Sequence, residues 1–292
     1  MVQIVLGTAN GLARFDGTPG HDLEWVAKGD VRTIAGRWAI VDDALVAVDD
    51  PDVAIRVEPK PLCLAATAAG VLVGTAEARL CVVPPGERAV QPVRSFDQIA
   101  TRDQWYTPWG GPPDTRSIAR TADGAALVNV HVGGVWHDPG DGTWTKVIDV
   151  DSDTHQVLAV DQHVVVAAAI GFGESDDNGR TFRFTADGLH ASYCRAVAVA
   201  GSWVLVTAST GPFTKEAAVY RRRLDSDEPF VRCWAGLPQW FEDNVDTFQL
   251  AAKGTTVVIG THAGQLFASN DAGATWRLAA DSLDPIHCVA LL

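Results

Sequence analysis

Apolar residues along this chain gather in short runs: "IVLGT", "LVGTA", "ALVNVHV", "VVVAAA", "WVLVTA" and "TVVIGTH". Gly, Asp, Asn or Pro breaks each run, and helical spacing of apolar positions is nearly absent. β-Branched residues in brief runs between turn formers predict strands. The pattern therefore predicts an all-β meander.

Aligning the runs exposes an internal repeat. Copies begin near Asp114, Asp153, Ser192 and Asp246, with weaker ones near Asp30 and Pro61. Each copy offers four short strands, A to D. Residues 2–29 supply strands B, C and D with no A before them, and Pro285–Leu292 reads as an A with nothing after it. Joined, the two fragments complete one blade, close a ring and remove a free sheet edge. The expectation is one domain over residues 1–292, a seven-bladed β-propeller. Its blades fall near 285–292 with 1–29, then 30–60, 61–100, 114–149, 153–188, 190–236 and 245–282.

Two turns between strands C and D share one spacing. "SDDNGRTF" (Ser175–Phe182) and "SNDAGATW" (Ser269–Trp276) both read S-x-D-x-G-x-T-aromatic, and "HDPGDGTW" (His137–Trp144) is a degraded copy. Ser and Asp side chains can accept backbone N–H bonds inside the turn. Gly permits positive φ, and the aromatic begins strand D and packs between sheets. The motif resembles the Asp box of the BNR-repeat β-propellers, in which it is a structural turn. Wording such as "GGPPDTRSIA", "VNVHVGG", "GLHASYC" and "NVDT" is similar to bacterial BNR-like, WD40/YVTN-type propeller proteins, a group that brings a fold and no settled activity. Sialidases, the best-known Asp-box enzymes, use an arginine triad with one member in an F/Y-R-I-P motif. No such motif occurs here, so sialic-acid hydrolysis is disfavoured.

Composition narrows the function. The formal net charge is −13, and basic residues cluster only in "YRRRL" (Tyr220–Leu224). Nucleic acid is an improbable partner, because phosphate contacts need a basic footprint. No apolar run approaches the roughly 20 residues of a membrane span. The start, "MVQIVLGTANG", lacks the basic and apolar regions of a signal peptide. Five scattered cysteines with no CxxC favour a reducing cytoplasm.

In an up-and-down blade the C–D turns lie on one face, and the D–A and B–C loops lie on the other. Two D–A connections are long and aromatic: Phe96–Arg116, with Trp105 and Trp109, and Gly236–Thr247, with Trp240 and Asn244. These aromatics either wall a ligand site or pack the loops onto the rim. The starts of strand A bring Asp114 and Arg116, Asp153 and His155, His190 and Tyr193, and Asp246 to the same face. The recurring Asp–Thr pairs also suit a loop-capping role. B–C turns add His131 and His262. A polar floor of Arg116, His131, His155, His190 and Asp246 would sit within a wall of Trp105, Trp109 and Trp240. If the site is catalytic, His155 or His190 would be the general base and Arg116 would stabilise negative charge. Zinc or copper would fit His131, His155 and His190, were they to converge. The expected function is a small-molecule pocket, with hydrolysis or a lyase reaction as the fold-analogy guess. The alternative is a protein-interaction platform.

Overall fold

The apolar runs become strands because each side of a blade is covered by the next blade, so both faces need apolar side chains. The computed structural model describes residues 2–18, 21–107 and 110–292. Among them lie seven four-stranded antiparallel sheets. The inner strands, blade by blade, are Ile286–Leu291, Val31–Ala35, Pro61–Thr67, Thr115–Arg120, Thr154–Val160, Tyr193–Ala200 and Leu250–Lys253. Each packs on its neighbour around a central axis, and the last meets the first. The fold is a seven-bladed β-propeller. Its first blade is shared by the termini: Ile286–Leu291 pairs antiparallel with Ile4–Thr8, with Ile4 opposite Leu291.

The core lies between blades. Val165, Phe172, Val204 and Tyr220 fill the junction of blades 5 and 6. Leu6, Phe15, Leu266 and Ile286 fill that of blades 7 and 1. Each fully buried side chain of this size contributes about 2 kcal/mol. Five unpaired cysteines are all buried, packed as small apolar groups.

The C–D turns close as the sequence expects. At the end of strand Gly171–Ser175, the Ser175 hydroxyl donates to Asp177 (2.7 Å) and accepts from the Gly179 N–H (2.9 Å). Asp177 also accepts from the Thr181 N–H (2.9 Å) and hydroxyl (2.7 Å). Ser269, Asp271, Gly273 and Thr275 repeat the arrangement. In the degraded copy Asp138 stands where the serine does, and its carboxylate accepts from Gly140 and Gly142 N–H at 2.8 and 2.9 Å.

The opposite end of the inner strands is irregular in a regular way. Six of the seven begin with a register shift against strand B, and the extra residue is His287, Arg32, Leu62, Arg116 or His155, or lies at Arg195–Ala196. A bulge leaves one residue outside the ladder and re-aims its side chain. Phe248 takes the corresponding place in blade 7, with φ of 71° just before strand Leu250–Lys253.

Candidate functional site

The bulges of blades 4, 5 and 6 set the chemistry of the mouth. A cavity of about 390 Å³ opens there, lined by Arg116, His131, Asp153, Tyr193, Arg195, Pro212 and Phe213. Arg116 and Arg195 are bulge residues of blades 4 and 6. Asp153 immediately precedes strand Thr154–Val160 with φ of 40°. His131 comes from the B–C turn of blade 4, where its N–H donates to the Asp114 carbonyl at 2.8 Å.

The two arginines are held differently. Arg195 forms a close ion pair with Asp246, and the Tyr193 hydroxyl lies 3.4 Å away. Among the described residues, Arg116 is paired with Asp153 alone, at 3.5 Å. A guanidinium has five N–H donors, so Arg116 faces the cavity with most of its capacity unspent. Burial, and then the Arg195 cation, pull its pKa down to about 10. Burial and the Arg116 cation lower His131 to about 4, so its ring is neutral at neutral pH. Asp153 stays ionised: burial opposes it, but the His155 ring and Arg116 hold it at about 2. Every basic group lining the cavity thus resists further positive charge, except the arginine already paired. An anion there would relieve that strain.

His155 stands behind this wall. Its side chain is fully buried, and Nδ1 donates to the Cys194 carbonyl. Nε2 lies 3.4 Å from Asp153 at an angle that makes no hydrogen bond. Burial lowers its basicity, and Asp153 only partly opposes that. The ring packs on Tyr193, with centroids 4.8 Å apart. His155 was expected as a general base; its ring lies behind Asp153 and Tyr193 and is not among the residues lining the cavity.

Other expected residues lie elsewhere. His190 spends both ring nitrogens, on the Tyr220 hydroxyl (2.8 Å) and the Glu216 carbonyl (2.9 Å). It packs against Trp240, which also carries the Arg232 guanidinium at 3.9 Å. His131, His155 and His190 therefore do not form a shared site, and no group of three His, Cys, Asp or Glu among the described residues is placed to hold a metal. His262 and Trp240 line a separate cleft at the junction of blades 6 and 7. Trp105 is 5% exposed and sits among Phe96, Trp136 and Arg102, so it closes the core beneath its loop and walls nothing. Trp109 lies outside the described residues. Asp114 serves as a cap facing the Glu77 N–H, with burial raising its pKa. Asn244 acts at one remove: its amide donates to the Gly211 and Pro212 carbonyls (3.1 Å each), pinning the loop that carries Phe213.

The site expected from the sequence did not include Arg195, Pro212 or Phe213, although Arg195, like Arg116, lies near the start of an A strand. Arg195 follows Tyr193–Cys194 where the neighbouring copies have Asp–Thr, which hides its equivalence to Arg116 and His155. "TGPF" (Thr210–Phe213) carried a signal of its own: a Gly-Pro turn with a bare aromatic in a B–C loop.

No family model matches the chain, and no curated protein matches its sequence. Solved structures do resemble it in shape. A computationally designed protein, Ika8, superposes with a TM-score of 0.61 at 14% identity over 96% of this chain and 83% of its own. An ancestral GH74 enzyme gives 0.60 at 13% identity, covering all of this chain (100%) and 40% of the enzyme. YCF48 bound to D1 peptide gives 0.55 at 13% identity, over 85% and 81% of the two chains. At these identities the likeness is one of fold, and it agrees with the ring of seven sheets.

Proposed function

We propose that the mouth of the ring binds a small organic anion, a carboxylate with a compact apolar or planar body. The observation that carries this is Arg116: a half-buried guanidinium, paired among the described residues with Asp153 alone, lining an open cavity beside a second arginine. The volume, about 390 Å³, suits a small molecule. A carboxylate would take bidentate N–H bonds from Arg116. Pro212 and Phe213, the latter 88% exposed, would cover its apolar part. Should the site also catalyse, His131 and Asp153 are the titratable side chains on its wall, with His131 neutral and able to take a proton. The Asp-box turns support kinship with the BNR-type propellers, and the unpaired cysteines support a cytoplasmic setting.

A protein-binding reading draws on exposed Phe213 and on a structural neighbour solved with a peptide. A cavity of this size with charged groups at its wall favours the small molecule. The test is calorimetric titration with a panel of short carboxylates, benzoate and succinate among them. Saturable binding should weaken about tenfold or more in Arg116→Gln, since a hydrogen bond to a charged group contributes roughly 1.5–3 kcal/mol. A panel in which no anion saturates, or one that ignores Arg116→Gln, would remove the proposal.

A further inference from the structure

The axis has a second end, and it is built of different material. From the middle of the ring to the face carrying the A–B turns runs a channel of about 420 Å³, lined by inner-strand residues of all seven blades. Ala35, Ala66, Val160, Val199, Ala252 and Leu291 stand near its rim. Among the described residues that line it, one is charged: Arg120, the last residue of strand Thr115–Arg120. Its side chain has no ion-pair partner there.

Phe248 forms the inner end. It belongs to blade 7, yet its side chain packs against the cluster between blades 1 and 2 and also the cluster between blades 3 and 4. A ring that touches both must cross the axis. Its φ of 71° is a left-handed conformation that a bulky residue adopts only when its surroundings impose it. Phe248 thus lies across the inner end of the apolar channel, and Arg120 stands at the other end.

We propose that this tube is a second ligand site, for a medium-chain amphipathic carboxylate whose tail lies in the channel against Phe248 and whose head meets Arg120. Length agrees with this occupant. Gln156 to Val160 line the wall, about 13 Å of strand at roughly 3.3 Å per residue, the reach of an extended decanoate tail. Charge agrees as well, because a lone guanidinium on a chain of net charge −13 selects for an anionic head. Apolar walls supply the remaining affinity by removing the tail from water. The inference does not depend on the mouth site, since the two cavities share no lining residue.

The experiment is calorimetric titration with decanoate below its micelle concentration, with 1-decanol as the neutral control. Decanoate should saturate a single site. Arg120→Gln should weaken it at least tenfold and leave 1-decanol unchanged, while Arg120→Lys should retain most of the affinity. Phe248→Ala, by opening the inner end, should shift preference toward longer tails. Arg116→Gln should change nothing here, which keeps this test separate from that of the mouth. Decanoate binding that falls with Arg116→Gln, that is indifferent to Arg120→Gln, or that never saturates would each overturn the proposal.

Discussion

Asp177 and Asp271 sit in turns on one face of the ring, Asp153 and Asp246 on the other, and the two pairs satisfy their oxygens by different means. In the turns, every partner is supplied within a few residues: Ser175, Arg180 and Thr181 for Asp177, and Ser269 and Thr275 for Asp271. At the mouth the guanidinium partners come from other blades, Arg116 of blade 4 for Asp153, beside His155 of its own blade, and Arg195 of blade 6 for Asp246. A locally closed turn is a fixture of its own hairpin. A carboxylate held by a guanidinium from another blade is a junction, and its partner's spare donors remain open to a ligand. The same residue type therefore marks scaffold on one face and the proposed site on the other.

The sharpest way to break this comparison is to remove one partner from each face. Arg195→Ala strands Asp246, 26% exposed, without its counter-ion. Losing one member of a largely buried pair costs about 3 kcal/mol. Asp271→Ala removes several hydrogen bonds, but water replaces them at an exposed turn, and the cost should be about 1–2 kcal/mol. Urea denaturation of both variants measures the difference. If Asp271→Ala proves the costlier change, the mouth pair is no junction and the contrast fails.

How much of this could be read in the sequence follows the same division. The S-x-D-x-G-x-T turns announce themselves because all their partners lie within eight residues, so spacing alone encodes them. Ring closure was legible too, from an orphan A strand at one end and a blade lacking one at the other. The mouth was legible only in part. Arg116 and Asp153 could be placed there from topology, but topology fixes the face of a residue and not its radial position. His155, His190 and His262 share a face with Arg116, yet one is sealed in the core and two lie out along blades 6 and 7. What decides radial position is the bulge at the start of each inner strand, and a bulge inserts one residue without any fixed sequence mark.

Acid sharpens the comparison further, with a somewhat smaller effect. His131 has a pKa of about 4 in the folded chain against 6.5 when free. The unfolded chain therefore binds a proton that the folded chain refuses. Stability from this group is complete above pH 6.5 and is lost as pH falls toward 4, about 2 kcal/mol of it by pH 5. Asp177 and Asp271 behave oppositely in timing. Their pKa values are held low by turn hydrogen bonds that outweigh burial, so they contribute nothing to the change between pH 7 and pH 5. His131→Asn should flatten the stability profile across that interval, as read by urea midpoints at the two pH values. A saturating anion at the mouth should flatten the wild-type profile as well, because it makes protonation of His131 easier. Equal slopes for wild type and His131→Asn would show that the mouth does not resist positive charge as described.

The smallest effect on stability belongs to Phe213, and it probes the cover of the site. Its side chain is 88% exposed, so Phe213→Ala removes almost no buried area and should change stability by less than about 0.5 kcal/mol. The loop itself is held by other groups: Asn244 on the Gly211 and Pro212 carbonyls, and the paired hydroxyls of Thr210 and Thr214 at 2.8 Å. An aromatic kept in water on an anchored loop is an arrangement that folding alone does not reward. Its return would come when a ligand occupies the cavity and the ring closes over the apolar body, burying area on both partners. Phe213→Ala should then weaken benzoate severalfold while leaving succinate, which offers no such body, nearly unchanged. A loss equal for both anions would assign Phe213 to loop position alone, and the difference between the faces would rest on the charged groups.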